Sequence, residues 1–143
     1  MGDWDNNEIF EVKFSRKQVH EIITEYYRKY HNFNGEIKFE LYYVSKPDGW
    51  GFYDEYGRMD LVFIERMKVF NEEVTKKSII KYKDLRLSKI FAPILENEGY
   101  ELVGGVHLDI DVSNYGRNIR FKSASASIKK KEKEKVLKKQ SNI

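Results

Sequence analysis

Hydrophobic and polar residues alternate along much of the chain, and this period-two pattern predicts antiparallel strands with one buried face. The alternating stretches are residues 8–14, 36–44, 58–70, 100–112 and 117–128. The stretch 58–70 also fits a helical stripe, but the β-branched residues Val62, Ile64 and Val69 favour a strand there. We therefore expect five strands.

A helix is predicted to begin after Ser15. Ser15 and Gln18 have the spacing of a capping box, and Phe14 can contact Val19 as a hydrophobic staple. Apolar side chains then recur at helical spacing at Val19, Ile22, Ile23, Tyr26 and Tyr30. The pattern predicts an amphipathic helix that ends in the turn at residues 32–35, with one face on the core.

A second helical stripe lies further along the chain. It consists of Leu87, Ile90, Phe91, Ile94 and Leu95. Pro93 lies inside this stripe and is expected to kink the helix. Between the two halves of the chain, residues 71–83 fit either a charged hairpin arm through Val74 and Ile80 or an irregular excursion.

The resulting order is βαββ, an uncertain span, then αββ, which predicts the α+β class. We expect an antiparallel sheet with two helices on one face. The order also fits a ferredoxin-like βαββαβ arrangement with an extra C-terminal strand. Residues 1–128 are expected to form a single domain, followed by a lysine-rich tail, flexible or helical, at residues 129–143.

Length and composition narrow the class of protein. A chain of 143 residues can bury one hydrophobic core, and the lack of cysteine excludes disulfides, thiolate metal sites and a thiol nucleophile. No apolar stretch approaches the roughly 18 residues that cross a bilayer, and the N-terminus lacks a secretory signal pattern. We expect a cytosolic protein without membrane contact and, from its AT-rich residue usage, a source in a low-GC bacterium or a mobile element.

The net charge of +3 is unevenly distributed. Residues 1–128 carry 19 Lys and Arg against 21 Asp and Glu, whereas residues 129–143 carry seven lysines against two glutamates. A nucleic-acid-binding domain normally has a basic face on its folded body. The chain therefore predicts at most weak, non-specific nucleic-acid binding, through a tail that begins with Lys129, Lys130 and Lys131.

Residues capable of catalysis or metal binding are sparse. His107, Asp109 and Asp111 share one side of a predicted strand, but same-face residues lie about 6.6–7 Å apart, so a solvated strand face is favoured over a cation site. His20 and His31 are interpreted as exposed histidines without partners. No nucleophile elbow or phosphate-binding loop occurs, and we expect neither enzyme activity nor a cofactor.

The segment 49–56 is rich in aromatic residues and glycine, and it provides the main candidate binding residues, Trp50, Phe52, Tyr53 and Tyr56. It partly resembles the RNP1 pattern of RNA-recognition motifs, and residues 9–12 loosely resemble the companion RNP2. Asp48 stands where that pattern has a basic residue. The segment is otherwise explained as a loop whose rings fold back on the core, or as an exposed protein-binding surface.

These patterns together favour a small non-enzymatic binding module with a protein partner. The alternative is a nucleic-acid-associated protein that uses the basic tail and the aromatic residues. The oligomeric state is left open by the sequence.

Overall fold

The computed structural model describes residues 8–114 and 116–131. Their secondary structure consists of two helices and six strands. In chain order these are β1 (Phe10–Phe14), α1 (Arg16–His31), β2 (Glu36–Pro47), β3 (Tyr53–Val69), β4 (Glu72–Ile80), α2 (Leu87–Asn97), β5 (Tyr100–Ser113) and β6 (Asn118–Lys130). The predicted α+β class is confirmed.

The strands form two antiparallel sheets where the sequence suggested one. Sheet A has the order β1-β6-β5, and sheet B has the order β2-β3-β4. The structure therefore has two sheets of three strands in place of the predicted single sheet and its ferredoxin-like variant. Alternation along a strand shows which face is buried but does not identify the neighbouring strand, so the sequence pattern could not separate the two.

Helix α1 begins as its capping residues predict. The Ser15 hydroxyl accepts a hydrogen bond from the Gln18 backbone, and the Gln18 side chain accepts one from the Ser15 backbone. Asn32 ends the helix in the left-handed conformation, with φ of 54°. Val19 and Ile23, from the predicted stripe, are fully buried.

The core lies where the helices and the inner faces of both sheets meet. Phe14 of β1 contacts Phe91 of α2 edge-on at 5.4 Å, and Phe39 of β2 stacks on Phe121 of β6 at 5.9 Å between ring centroids. The Tyr27 ring of α1 reaches Phe63 of sheet B at 4.8 Å. These contacts join the two sheets through one shared core.

The sheets approach each other closely at Gly57 of β3. A side-chain carbon at this position would overlap the Ile110 side chain of β5, so the contact requires a residue without one. At the neighbouring end of sheet A, Gly116 lies against the ring of Tyr43 in the same way. Small residues thus permit the packing of sheet A on sheet B.

Two segments with uncertain sequence patterns are ordered as strands. Residues 72–80 form β4, which pairs with β3 as a hairpin arm, one of the two alternatives for this span. β6 continues through Lys129 and Lys130, which pair with Glu101 and Tyr100, past the boundary at residue 128 that the sequence suggested. The rest of the expected tail, residues 132–143, lies outside the described residues.

Within residues 8–114 and 116–131, neither helix is long and apolar enough to cross a membrane.

Candidate functional site

The turn between β2 and β3 is held by its own backbone and by Asp48. One carboxylate oxygen of Asp48 accepts hydrogen bonds from the backbone of Trp50 at 2.7 Å and of Phe52 at 3.2 Å, and the Asp48 backbone donates to the Phe52 carbonyl at 3.0 Å. Gly49 and Gly51 supply the positive φ angles, 87° and 90°, that the chain needs here. The turn is therefore fixed locally, without help from the core.

Three aromatic side chains project from this turn into solvent. Trp50, Phe52 and Tyr53 are 86%, 73% and 67% exposed. We call these three residues the aromatic tip. The loop interpretation proposed that these rings fold back on the core, and in the structure they do not. Exposed aromatic residues on a fixed backbone are typical of binding surfaces.

Tyr56, the fourth aromatic candidate, belongs to a different cluster. It is half-buried in β3, and the Arg58 guanidinium lies over its ring at 4.1 Å and over the Tyr82 ring at 5.2 Å. The Asp60 carboxylate accepts hydrogen bonds from the Tyr42 hydroxyl at 3.0 Å and the Tyr82 backbone at 2.9 Å. This cluster attaches the chain after β4 to sheet B, so Tyr56 has a structural role.

The same cluster changes the acidity of one tyrosine. Burial raises the pKa of the Tyr42 hydroxyl to about 12, and its hydrogen bond to the Asp60 carboxylate adds to the shift. Tyr42 therefore acts as a hydrogen-bond donor over the whole neutral range.

The surroundings of the aromatic tip are acidic. Three acidic residues lie in or beside the turn, namely Asp48, Asp54 and Glu55. One basic residue, Lys46 of β2, is close to them in the sequence. Glu55 also accepts a hydrogen bond from the Tyr43 hydroxyl at 2.8 Å. Negative charge around exposed rings repels phosphate and favours contact with basic groups.

His107, Asp109 and Asp111 lie on β5, as predicted, and their two carboxylates face cations of β6. Asp111 is 3.3 Å from Arg120, and Asp109 is 4.0 Å from Lys122. Among the described residues, no group of three His, Cys, Asp or Glu side chains is placed to hold a metal ion. The arrangement is that of cross-strand ion pairs on a solvated face.

The two remaining histidines have partners, contrary to expectation. His20 is half-buried, with Nε2 at 2.6 Å from the Ile37 carbonyl and its ring against Phe39. His31 lies 3.4 Å from the Tyr26 hydroxyl. His20 thus joins α1 to β2, a contact between distant parts of the chain that a sequence pattern does not contain.

The first lysines of the expected tail are placed against the folded body. Lys129 lies 3.4 Å from Glu101, and Lys131 lies 3.3 Å from Glu96 at the end of α2. The Lys131 backbone also donates a hydrogen bond to the Gly99 carbonyl at 2.9 Å. Two of the three lysines chosen as binding residues therefore have carboxylate partners, which reduces the positive charge they present.

The two segments that resemble RNA-recognition motifs do not lie side by side. Residues 9–12 lead into β1 of sheet A, whereas residues 49–56 form the turn and the start of β3 in sheet B. RNA-recognition motifs stack bases on adjacent strands of one sheet. The resemblance does not extend to the arrangement of the strands.

Comparison of the chain with known protein families, curated proteins and solved structures gives no match. Sequence reasoning identified the aromatic residues but missed the hydrogen bonds of Asp48, for which the Pro47-Asp48-Gly49 turn pattern was the available signal.

Proposed function

We propose that the protein is a non-enzymatic module that binds a protein partner through the aromatic tip. The observation that supports this most strongly is the exposure of Trp50, Phe52 and Tyr53 on a turn that Asp48 holds in place. We infer a cytosolic role, in a low-GC bacterium or one of its mobile elements.

The tip has the physical properties of a binding hot spot. Large aromatic side chains bury much apolar area on contact while losing few rotatable bonds. The backbone beneath them is already fixed by hydrogen bonds, so little conformational entropy remains to be lost on binding. Both features favour affinity from a small contact area.

The charge around the tip defines the partner's chemistry. An acidic rim complements a basic one, so the partner should offer an apolar pocket bordered by Lys or Arg. Association should then be faster at low ionic strength, because the rim charges guide encounter.

Nucleic-acid binding is the second candidate, and it relies on the lysines at the end of β6 and after it. Aromatic rings can stack on bases, but the carboxylates beside the tip oppose the approach of phosphates. Lys129 and Lys131 already face Glu101 and Glu96. Binding through the remaining lysines would be weak, independent of base sequence and steeply dependent on salt.

The test is affinity capture from a lysate of the bacterium that carries the gene, with the full chain as bait. The key variant is Trp50→Ala/Phe52→Ala. Its matched control is Tyr30→Ala, which removes an exposed aromatic residue from α1. A third bait, Asp54→Lys, reverses one charge of the rim. Each capture is repeated after nuclease treatment.

We expect the wild-type and Tyr30→Ala baits to capture one protein in a fixed ratio of partner to bait. The Asp54→Lys bait should capture less of it, and the Trp50→Ala/Phe52→Ala bait should capture none. Retention that is indifferent to the tip variant would contradict the proposal. Retention that nuclease abolishes would support the nucleic-acid alternative instead.

A further inference from the structure

β4 is an edge strand with little cover from the rest of the chain. It pairs with β3 on one side, and in the described residues no strand pairs with its other side. Eight of its nine residues are exposed, on both faces of the sheet. Such an edge presents unpaired backbone groups that can pair with another strand.

The turn before β4 determines which backbone groups face outward. Phe70 and Asn71, with φ of 52° and 68°, form a two-residue turn closed by the pair Val69 and Glu72. The closing pair of such a turn is hydrogen-bonded. Along β4, the N–H and C=O groups of successive residues then point alternately toward β3 and away from it. The N–H and C=O groups of Glu73, Thr75, Lys77 and Ile79 therefore point to the free edge.

The charges of β4 are arranged for antiparallel pairing with itself. Its first half carries Glu72 and Glu73, and its second half carries Lys76 and Lys77. In a two-fold register centred on Thr75, Glu73 of each chain lies opposite Lys77 of the other. In this register the residues that face each other are those whose backbone groups point to the free edge. The same register therefore allows both the hydrogen bonds and the charge pairs between the two copies.

This layout differs from the usual protection of an edge strand. A row of lysines along an edge repels a second copy of the same strand, whereas a strand with one acidic half and one basic half attracts it. Phe70 is 97% exposed, so the described residues leave it uncovered, and its φ is positive, which is uncommon for a bulky residue. In the same register it comes level with Ile80 of the second copy.

We propose that two copies of this chain associate through β4, which joins their B sheets into one antiparallel sheet of six strands. The aromatic tip lies beyond the far end of β4: Ile80, the last residue of β4, pairs with Leu61, which is eight residues from Tyr53, or roughly 26 Å at about 3.3 Å per residue. The dimer leaves both tips free and does not depend on their proposed function.

The test measures the dimerisation constant of the purified full chain by sedimentation equilibrium. The two variants Lys76→Glu/Lys77→Glu and Glu72→Lys/Glu73→Lys each place like charges at positions 73 and 77, which face each other in this register. We expect each to weaken dimerisation about ten-fold or more, which corresponds to about 1.4 kcal/mol. Circular dichroism checks that the folded structure is kept.

Charge complementation provides the control. A one-to-one mixture of the two variants, and a single chain that carries all four reversals, should both recover the wild-type constant, because each again opposes Glu with Lys. A wild-type chain that is still monomeric at about 1 mM, the dissociation constant that corresponds to about −4.1 kcal/mol, would overturn the proposal. So would a dimer that the reversals do not weaken, or a mixture that does not recover.

Discussion

Sheets A and B differ in how completely the rest of the chain satisfies their surfaces. Sheet A packs both helices on its inner face, and on its outer face the carboxylates of β5 meet the cations of β6, including Glu101 with Lys129 at 3.4 Å. Among residues 8–114 and 116–131, sheet B is covered mainly near its middle, where Met59 and Leu61 are buried. Its two ends project with exposed aromatic residues, Trp50 at one and Phe70 at the other.

The difference supports our proposals for the binding surfaces. Ion pairs across sheet A leave little unbalanced charge, so this surface gains little from a partner. The ends of sheet B expose apolar area that the chain itself does not bury, and burial against a partner would stabilise a complex. We therefore propose that sheet B carries the binding surfaces and that sheet A has a structural role.

The largest expected effect comes from the shared core. Ile23→Asp buries an unpaired charge at a fully buried position and should destabilise the fold by about 4 kcal/mol or more, comparable with the whole stability of a small domain. Thermal unfolding measured by circular dichroism should show no cooperative transition. The same change at Ile9, which is 60% exposed, should leave the melting temperature within about 2 °C. A normal melt for Ile23→Asp would contradict the assignment of the core.

The next effect lies at the contact between the sheets. Gly57→Ala places a carbon against Ile110 and should cost about 1–3 kcal/mol in the free energy of unfolding. Gly105→Ala is the matched control, because the space beside Gly105 is open. Urea denaturation measures both. Equal midpoints for the two variants would show that the sheets do not pack closely at Gly57.

Local patterns in the sequence identified more of the fold than of the site. The cap at Ser15 and Gln18 and the buried stripe at Val19 and Ile23 depend on neighbouring residues, so they could be predicted. The division into two sheets depends on which distant strands pair, and alternation is the same for either partner. The sequence pattern assigned the lysines at the end of β6 to a tail, because their carboxylate partners, Glu101 and Glu96, are far away in the sequence.

A smaller effect is confined to alkaline pH. Tyr42 has a pKa of about 12 in the folded chain against 10.0 as the ordinary value, so its contribution is fully present below pH 10 and is lost as pH rises from 10 to 12. Tyr42→Phe should flatten the fall in stability over this interval. Urea midpoints at pH 9 and 11 measure it. An equally steep fall in the variant would contradict the raised pKa.

The smallest effect concerns the outer face of sheet A. Arg120→Ala removes the cation beside Asp111, and both side chains are largely exposed, so the stability should change by less than about 0.5 kcal/mol. Capture of a partner by the aromatic tip should be unchanged. A large loss of either would show that this face does more than complete an ion pair.

Photo-crosslinking in living cells tests the central claim most directly. Benzoyl-phenylalanine is introduced at Phe52 of the aromatic tip and, in a second strain, at Lys122 on the outer face of sheet A. We expect a discrete protein adduct from position 52 and none from position 122. An adduct from position 122 with none from position 52 would contradict the division between a structural sheet A and a binding sheet B.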